Sequence, residues 1–327
     1  MDKIPLLIDT DPGVDDALAL LMALADDRHA IVGLTIAAGN VGLRHTVANA
    51  LKLTEVAGRD DIPVFPGCDS PLLHAAEDAA YVHGEDGFGD TGYAPAARAA
   101  ADEHAALAIL RLSHEHAGRL LLVALGPLTN LALALKLDPT LPQRVARCVV
   151  MGGAVTGHGN MTPSAEFNIV FDPEAAHLVF SAFPRVELAD WEAVLRHGLP
   201  HAALERWLQA GTPQAAFYGA ISRQTREWAR AEGRGGDWHC ADALAMALAL
   251  QPEGALDLQA RPLAVEIGLG KARGATLVDW DRAFGGSDNA EILMAYDRAR
   301  FEDMVAQALA RPLAAGAGGL RQAPPAG

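Results

Sequence analysis

Apolar and polar positions along this chain fall into two alternating textures. Short, nearly continuous apolar runs recur at KIPLLID (3–9), IVGLTIAAG (31–39), IPVFPG (62–67), GRLLLVALGP (118–127) and VARCVVMGG (145–153). Runs of this length, rich in Val, Ile and Leu and bounded by Gly or Pro, predict strands buried on both faces. Between them lie stretches with apolar residues three and four apart: VDDALALLMALADD (14–27), LRHTVANALKLTEVAG (43–58), DEHAALAILRLSHEH (102–116) and PLTNLALALKL (127–137). DPEAAHLVFSAF (172–183) follows the last of those strands, opened by Asp172-Pro173. These spacings predict amphipathic or fully buried helices. Strand followed by helix, repeated, predicts an α/β fold: a mainly parallel open sheet flanked by helices. From about Leu195 to Arg234 the pattern is helical without clear strands, suited to cap the sheet or cover a site. The reading is one domain over 1–310, followed by an Ala/Gly/Pro-rich, flexible C-terminal tail, 311–327.

In open parallel sheets, ligands sit outside the carboxyl ends of the strands. Polar clusters fall at those ends: Asp9-Thr10-Asp11, Gly39-Asn40, Leu125-Gly126-Pro127 and Met151-Gly152-Gly153. Together they predict one pocket. The most acidic part is LLIDTDPGVDDALALL, with Asp9, Asp11, Asp15 and Asp16 inside eight residues. Asp9 and Asp11, two apart at a strand end, are expected on one face. A helix N-terminus stabilises a carboxylate by about 0.3–1 kcal/mol, which accounts for one or two of the four. The simple alternatives are a cap role for Asp15 and a buried hydrogen-bond acceptor role for Asp9. For all four together, like charges at close range raise one another's pKa or call for a cation. Carboxylates and carbonyls suit a hard ion, Ca2+ or Mg2+.

Bulk properties narrow the class. The chain has 327 residues, 50% apolar, and a formal net charge of −15, which argues against a nucleic-acid backbone as partner. No 18-residue apolar run is present, and MDKIPLLID does not read as a signal peptide. Cys68, Cys148 and Cys240 form neither a metal pattern nor a disulfide framework, which fits a reducing cytosol, so a cytoplasmic protein is expected. A rival reading takes the D-x-D after the first strand as that of a haloacid-dehalogenase-type phosphatase. Pro12-Gly13 and a second Asp pair then stand where that family has Thr or Val two residues after its second Asp.

DTDPGVDDALAL resembles the N-terminal signature of the nucleoside hydrolases, the inosine–uridine-preferring superfamily. TIAAGN (35–40), HGEDGFGD (83–90), ALGPLTNLALAL (124–135), MGGA (151–154) and GNMTPSAEFNIVFDPEAA (159–176) are similar to further blocks of that family, in family order. The resemblance implies a Rossmann-like nucleoside-hydrolase fold and water splitting the N-glycosidic bond of a ribonucleoside, with Ca2+ holding water and ribose. It implies that Asp11 is general base and calcium ligand, that Asp16 and Asp242 are further ligands, and that Leu125 offers its backbone carbonyl. It assigns ribose contacts to Asp15, Asn40, Asn160, Glu166 and Asn168, a sugar-face contact to Met151, and a pocket place to His83 on a mobile loop. It further implies a homodimer or homotetramer.

On the leaving-group side the chain departs from the family. Members place His or Trp immediately before the last metal-binding Asp; here that residue is Ala241, in WHCADAL (238–244). His239 is the candidate to protonate the departing base, Trp238 to stack on it, and Cys240 to line the pocket. Phe217, Tyr218, Arg223 and Trp228 lie in the helical region available for further contacts. A ribose- or nucleoside-binding homologue of weak activity is the alternative function left open by this departure.

Overall fold

The computed structural model describes residues 2–231, 236–283 and 285–311. The tail expected from 311 onward therefore lies, but for its first residue, outside the described residues. Strands β1 (Ile4–Thr10), β2 (His29–Ile36), β3 (Val64–Pro66), β4 (Leu120–Ala124), β5 (Val145–Met151) and β6 (Val186–Ala189) are joined by two later ones, Ala255–Arg261 and Ala290–Tyr296. They form an eight-stranded sheet in the order β3-β2-β1-β4-β5-β6, then 290–296, then 255–261. All neighbours pair in parallel except the last two, which are antiparallel.

Alternation along each strand divides the core in two. Leu6 and Ile8 of β1 face a cluster that includes helix α1 (Val14–Ala25), helix α2 (Leu43–Val56), helix Ala241–Leu250 and helix Arg298–Ala310. Leu7 faces the opposite way, onto helices Ala105–Glu115, Thr129–Leu137 and Pro173–Ala182. Burial on both faces explains why the strands read as unbroken apolar runs. Helix 241–250, ADALAMALAL, is buried at all ten positions, as a helix apolar on every side must be.

The helix expected from Asp102 begins only at Ala105, where the His104 side chain accepts a hydrogen bond from the Ala106 N–H. The region after Leu195 is helical as expected, at His201–Leu208, Pro213–Ile221 and Arg223–Ala231, but Leu199–Pro200 pairs with Asp237–Trp238 as a short strand. No helix among the described residues is long and apolar enough to cross a membrane.

β1 leads to β2 and β3 on one side, while β4, β5 and β6 run to the other. The strand order thus reverses between β1 and β4, and the crevice outside their carboxyl ends is where such a sheet takes its ligand.

Candidate active site at the switch point of the sheet

A cavity of about 770 Å³ opens over those strand ends. Asp11 follows β1, Asn40 follows β2, Leu125 follows β4, and Met151 ends β5; all four line it. The remaining wall includes Asp15, His83, Asn160, Glu166, Asn168, Trp238, His239 and Asp242. Of the residues that the family resemblance assigns to metal or ribose, Asp16 alone lies just behind the lining, and its carboxylate belongs to the same acidic cluster.

That cluster follows from helix packing. Asp15 and Asp16 occupy the first turn of α1, and Asp242 the first turn of helix 241–250. The two helices share one core, with Leu18, Leu21, Leu244 and Leu248 all buried there. Ligand oxygens of Asp15, Asp16 and Asp242 consequently lie within 4.8 Å of one another. Burial pushes the Asp242 carboxyl well above its ordinary pKa, and the charges of Asp16, Asp15 and Asp11 add to the effect. Burial likewise raises Asp11, assisted by Asp16, and raises Asp15 to about 6.

Asp16 also organises the loop. It accepts from the Thr10 hydroxyl, the Gly13 N–H at 3.0 Å and the Asn40 side-chain amide at 2.9 Å. Asp11 accepts from the Asn40 N–H at 2.7 Å. By contrast, Asp15 Oδ1 is buried with no hydrogen-bond partner. Among the described residues no lysine or arginine lines the cavity. An orphaned carboxylate oxygen, three clustered acids and no protein cation fit a hard divalent ion.

The expectation that Asp9 and Asp11 share a face is not met. Asp9 is still within β1, where its Oδ2 accepts from the Thr35 hydroxyl at 2.6 Å and the Asn130 amide at 3.0 Å, away from the cavity. Asp11 lies beyond the strand, where Pro12 turns the chain, so the alternation rule no longer applies. Burial lifts Asp9 to about 7, although both hydrogen bonds oppose it.

On the opposite wall, Glu166 caps the short helix Phe167–Phe171, accepting from the Asn168 and Gly153 N–H groups, both at 2.9 Å. Burial raises its pKa to about 7. The Asn168 amide donates to the Leu125 carbonyl at 2.6 Å and also reaches the Met151 carbonyl at 3.3 Å, tying the ends of β4 and β5 together. Leu125 O retains a second lone pair. Asn160 sits exposed on the rim and accepts from the Phe167 N–H at 2.9 Å.

The family model for inosine-uridine preferring nucleoside hydrolase matches residues 6–303. The chain belongs to the inosine-uridine preferring nucleoside hydrolases. It is thus an N-ribosyl hydrolase. It is 35% identical over 316 residues to the pyrimidine-specific ribonucleoside hydrolase RihA of Enterobacter sp. (strain 638), covering 94% of this chain and 98% of the relative. Among solved structures it superposes on the plant nucleoside hydrolase PpNRh1 with a TM-score of 0.90 at 30% identity, over 95% of this chain and 100% of that one. The purine-preferring ribonucleoside hydrolase from Gardnerella vaginalis gives 0.87 at 28%, over 94% and 98%. The named relatives thus differ in base preference, one pyrimidine-specific and one purine-preferring.

In this nucleoside hydrolase the leaving-group wall differs from expectation in several places. Cys240 does not line the cavity; its thiol is buried and donates to the Asp15 carbonyl at 3.6 Å. Phe217 packs edge-on against Phe88 and Tyr93. Tyr218 is fully buried, and its hydroxyl accepts the Trp238 indole N–H at 3.2 Å. Neither reaches the cavity, and nor does Arg223, whereas Trp228 does. Trp238 is itself 4% exposed, touching the cavity from within the core. His239 is half-buried beside Trp191, ring centroids 6.5 Å apart, and desolvation lowers its pKa. His83 Nδ1 accepts the Val14 N–H at 3.1 Å, and burial lowers its pKa to about 4, so the ring is neutral with its proton on Nε2. Gly84, Gly87 and Gly89 of the loop after it have φ of 84°, 79° and 66°, a left-handed conformation that glycine adopts without strain.

Sequence reasoning missed Trp191, Tyr81, Met161 and Leu195, all cavity-lining. Trp191 stands two residues past the end of β6, after Asp190. Its position at a strand end was the available signal, hidden because the four-residue VELA does not register as a strand.

Proposed function

We propose that this hydrolase splits ribonucleosides into free base and ribose around a bound Ca2+ ion. The observation that carries the reading is the convergence of Asp11, Asp15, Asp16 and Asp242 on one cavity also lined by Asn40, Asn160, Glu166 and Asn168. Asp16 and Asp242, two of the three clustered acids, together with Asp11 and the Leu125 carbonyl are the groups that would hold the ion, with Asp15, the third, bordering it on the ribose side. A bound ion of this kind supplies a Lewis acid for water and a fixed charge beside the ribose diol.

The protein's own groups do the rest. Asp11, with one oxygen tied to the Asn40 N–H, takes the proton of the attacking water as general base. Asp15, Asn40, Asn160, Glu166 and Asn168 bind the ribose hydroxyls, since carboxylates accept and amides both accept and donate. Met151 lies against the sugar face. Positive charge develops on the sugar as the bond to the base breaks, and the surrounding carboxylates stabilise it. Attack from the carboxylate side, opposite the departing base, inverts the anomeric centre. On the leaving-group side His239 delivers the proton and Trp238 contacts the base, while His83 lines the pocket beside Asp15.

The test is a panel of purine and pyrimidine nucleosides plus 4-nitrophenyl riboside, with and without a chelator, read as reducing sugar. Ribose release is expected, and chelation stops it. Asp11→Asn is expected to lower turnover by about 10³-fold with the melting temperature retained. Full activity in that variant would remove Asp11 as base. Ribose binding without base release from any substrate would leave a binding protein.

A further inference from the structure

The Asp11 carboxylate stands between two strand ends, and at each the residue against it is glycine. A Cβ built on Gly39, just past β2, would lie 2.0 Å from Asp11 Oδ2; one built on Gly126, just past β4, would lie 2.2 Å from Oδ1. Real Cβ contacts essentially never fall below 3.0 Å. No side chain other than hydrogen therefore fits at either position while Asp11 keeps its place. Neither glycine has a positive φ, so backbone conformation does not demand glycine there. The requirement is closeness alone.

The two contacts act on different oxygens. The Gly39 side lets the backbone approach until the Asn40 N–H donates to Oδ2 at 2.7 Å, while the Asn40 amide reaches Asp16 Oδ2 at 2.9 Å. The Gly126 side belongs to the segment whose Leu125 N–H donates to the Asp9 carbonyl at 2.8 Å, fixing that wall to β1. The carboxylate is thus held on both sides by backbone that is itself anchored to its neighbours.

The geometry points to Gly39 and Gly126 as positioning residues for this hydrolysis: a two-sided backbone slot that sets where the Asp11 carboxylate stands. The inference rests on the proposed role of Asp11 and adds the device that aims it. A contact of 2.2 Å against a floor of 3.0 Å calls for a shift of about 0.8 Å at Gly126→Ala, and 2.0 Å calls for about 1 Å at Gly39→Ala. A displacement of that size in a reacting group costs on the order of 10²-fold in rate.

The test uses Gly39→Ala and Gly126→Ala, with Gly42→Ser as a control in the same loop, where an added Cβ meets nothing within 4 Å. Both alanine variants are expected to lose about 10²-fold in kcat with KM within about threefold, and to bind Ca2+ more weakly by calorimetry; the control keeps all three values. Stability supplies the second readout. Gly126→Ala is expected to lower Tm by about 3 °C or more through overpacking, and to lower it by much less in an Asp11→Ala background, where the methyl has room. That coupling is measurable whether or not the single variants are active, and whether or not Asp11 is the base. Equal Tm losses in both backgrounds, or kcat within twofold of the parent in a folded alanine variant, would overturn the slot. If Asp11→Asn is fully active while the coupling persists, the proposed base is wrong and the slot stands.

Discussion

Asp242 is the one member of the acidic cluster supplied from the far end of the chain, and Asp242→Asn removes its charge while keeping its shape. In the parent, ligand oxygens of Asp15, Asp16 and Asp242 lie within 4.8 Å of one another. Two unit charges at 4.8 Å repel by about 3.5 kcal/mol at an effective dielectric of about 20. Without a cation the cluster therefore retains protons, in line with the raised pKa values of all three. A divalent ion entering the site displaces those protons. The substitution abolishes two of the three repulsive pairs and one ligand at once. In chelator the variant is expected to melt no lower than the parent. Calcium at about 100 times its Kd adds about 2.7 kcal/mol to the parent, a rise of about 4 °C in Tm for a chain of this size, and raises the variant far less at the same concentration. Differential scanning calorimetry over a calcium series gives the shifts. Titration calorimetry in two buffers of different ionisation enthalpy gives the protons released, fewer for the variant. An equal calcium shift in both proteins, or a parent that neither gains stability nor releases protons, would refute the reasoning.

His239→Ala is expected to slow natural nucleosides by about 10²-fold and to leave 4-nitrophenyl riboside nearly untouched, because that leaving group departs without protonation; equal slowing of both would remove His239 as acid. A pH effect on stability is expected from His197, whose Nδ1–H donates to the Ala193 carbonyl at 2.7 Å and whose Nε2 accepts the Tyr296 N–H at 2.9 Å. Burial lowers its pKa below the unfolded value of about 6.5. The neutral ring therefore contributes its full stability above about pH 6.5, and that contribution is lost as pH falls through the folded value. Buried carboxylates with raised pKa, such as Asp9 and Glu166, gain stability over the same range, so the His197 effect is read as a difference: the Tm advantage of the parent over His197→Gln should shrink between pH 8 and pH 5, and a constant difference would assign the effect elsewhere.

Much of the architecture was legible in the chain. Strands with both faces buried, such as Leu6–Ile8 and Leu120–Ala124, announce themselves as unbroken apolar runs, and the Gly, Asn and Asp residues that end them mark one edge of the sheet. The later strands were not legible. Val186–Ala189 is four residues long, and Ala255–Arg261 is an edge strand with only part of its surface covered, so neither carries a clear period. The family blocks drew the remaining site residues to one place by resemblance, and Asn40, Asn160, Glu166 and Asn168 do line the same cavity.

By itself the sequence determined the layer order, the end of the sheet where polar residues collect, and the acidity of that end, because period and composition are properties of neighbours along the chain. Tertiary structure decided which acids meet. Asp9 and Asp11, two residues apart, part company where β1 ends, while Asp16 and Asp242 come together because the helices that carry them bury against each other. Contacts between residues so far apart depend on how elements pack, and packing is set by shape and burial in three dimensions, which no local spacing encodes.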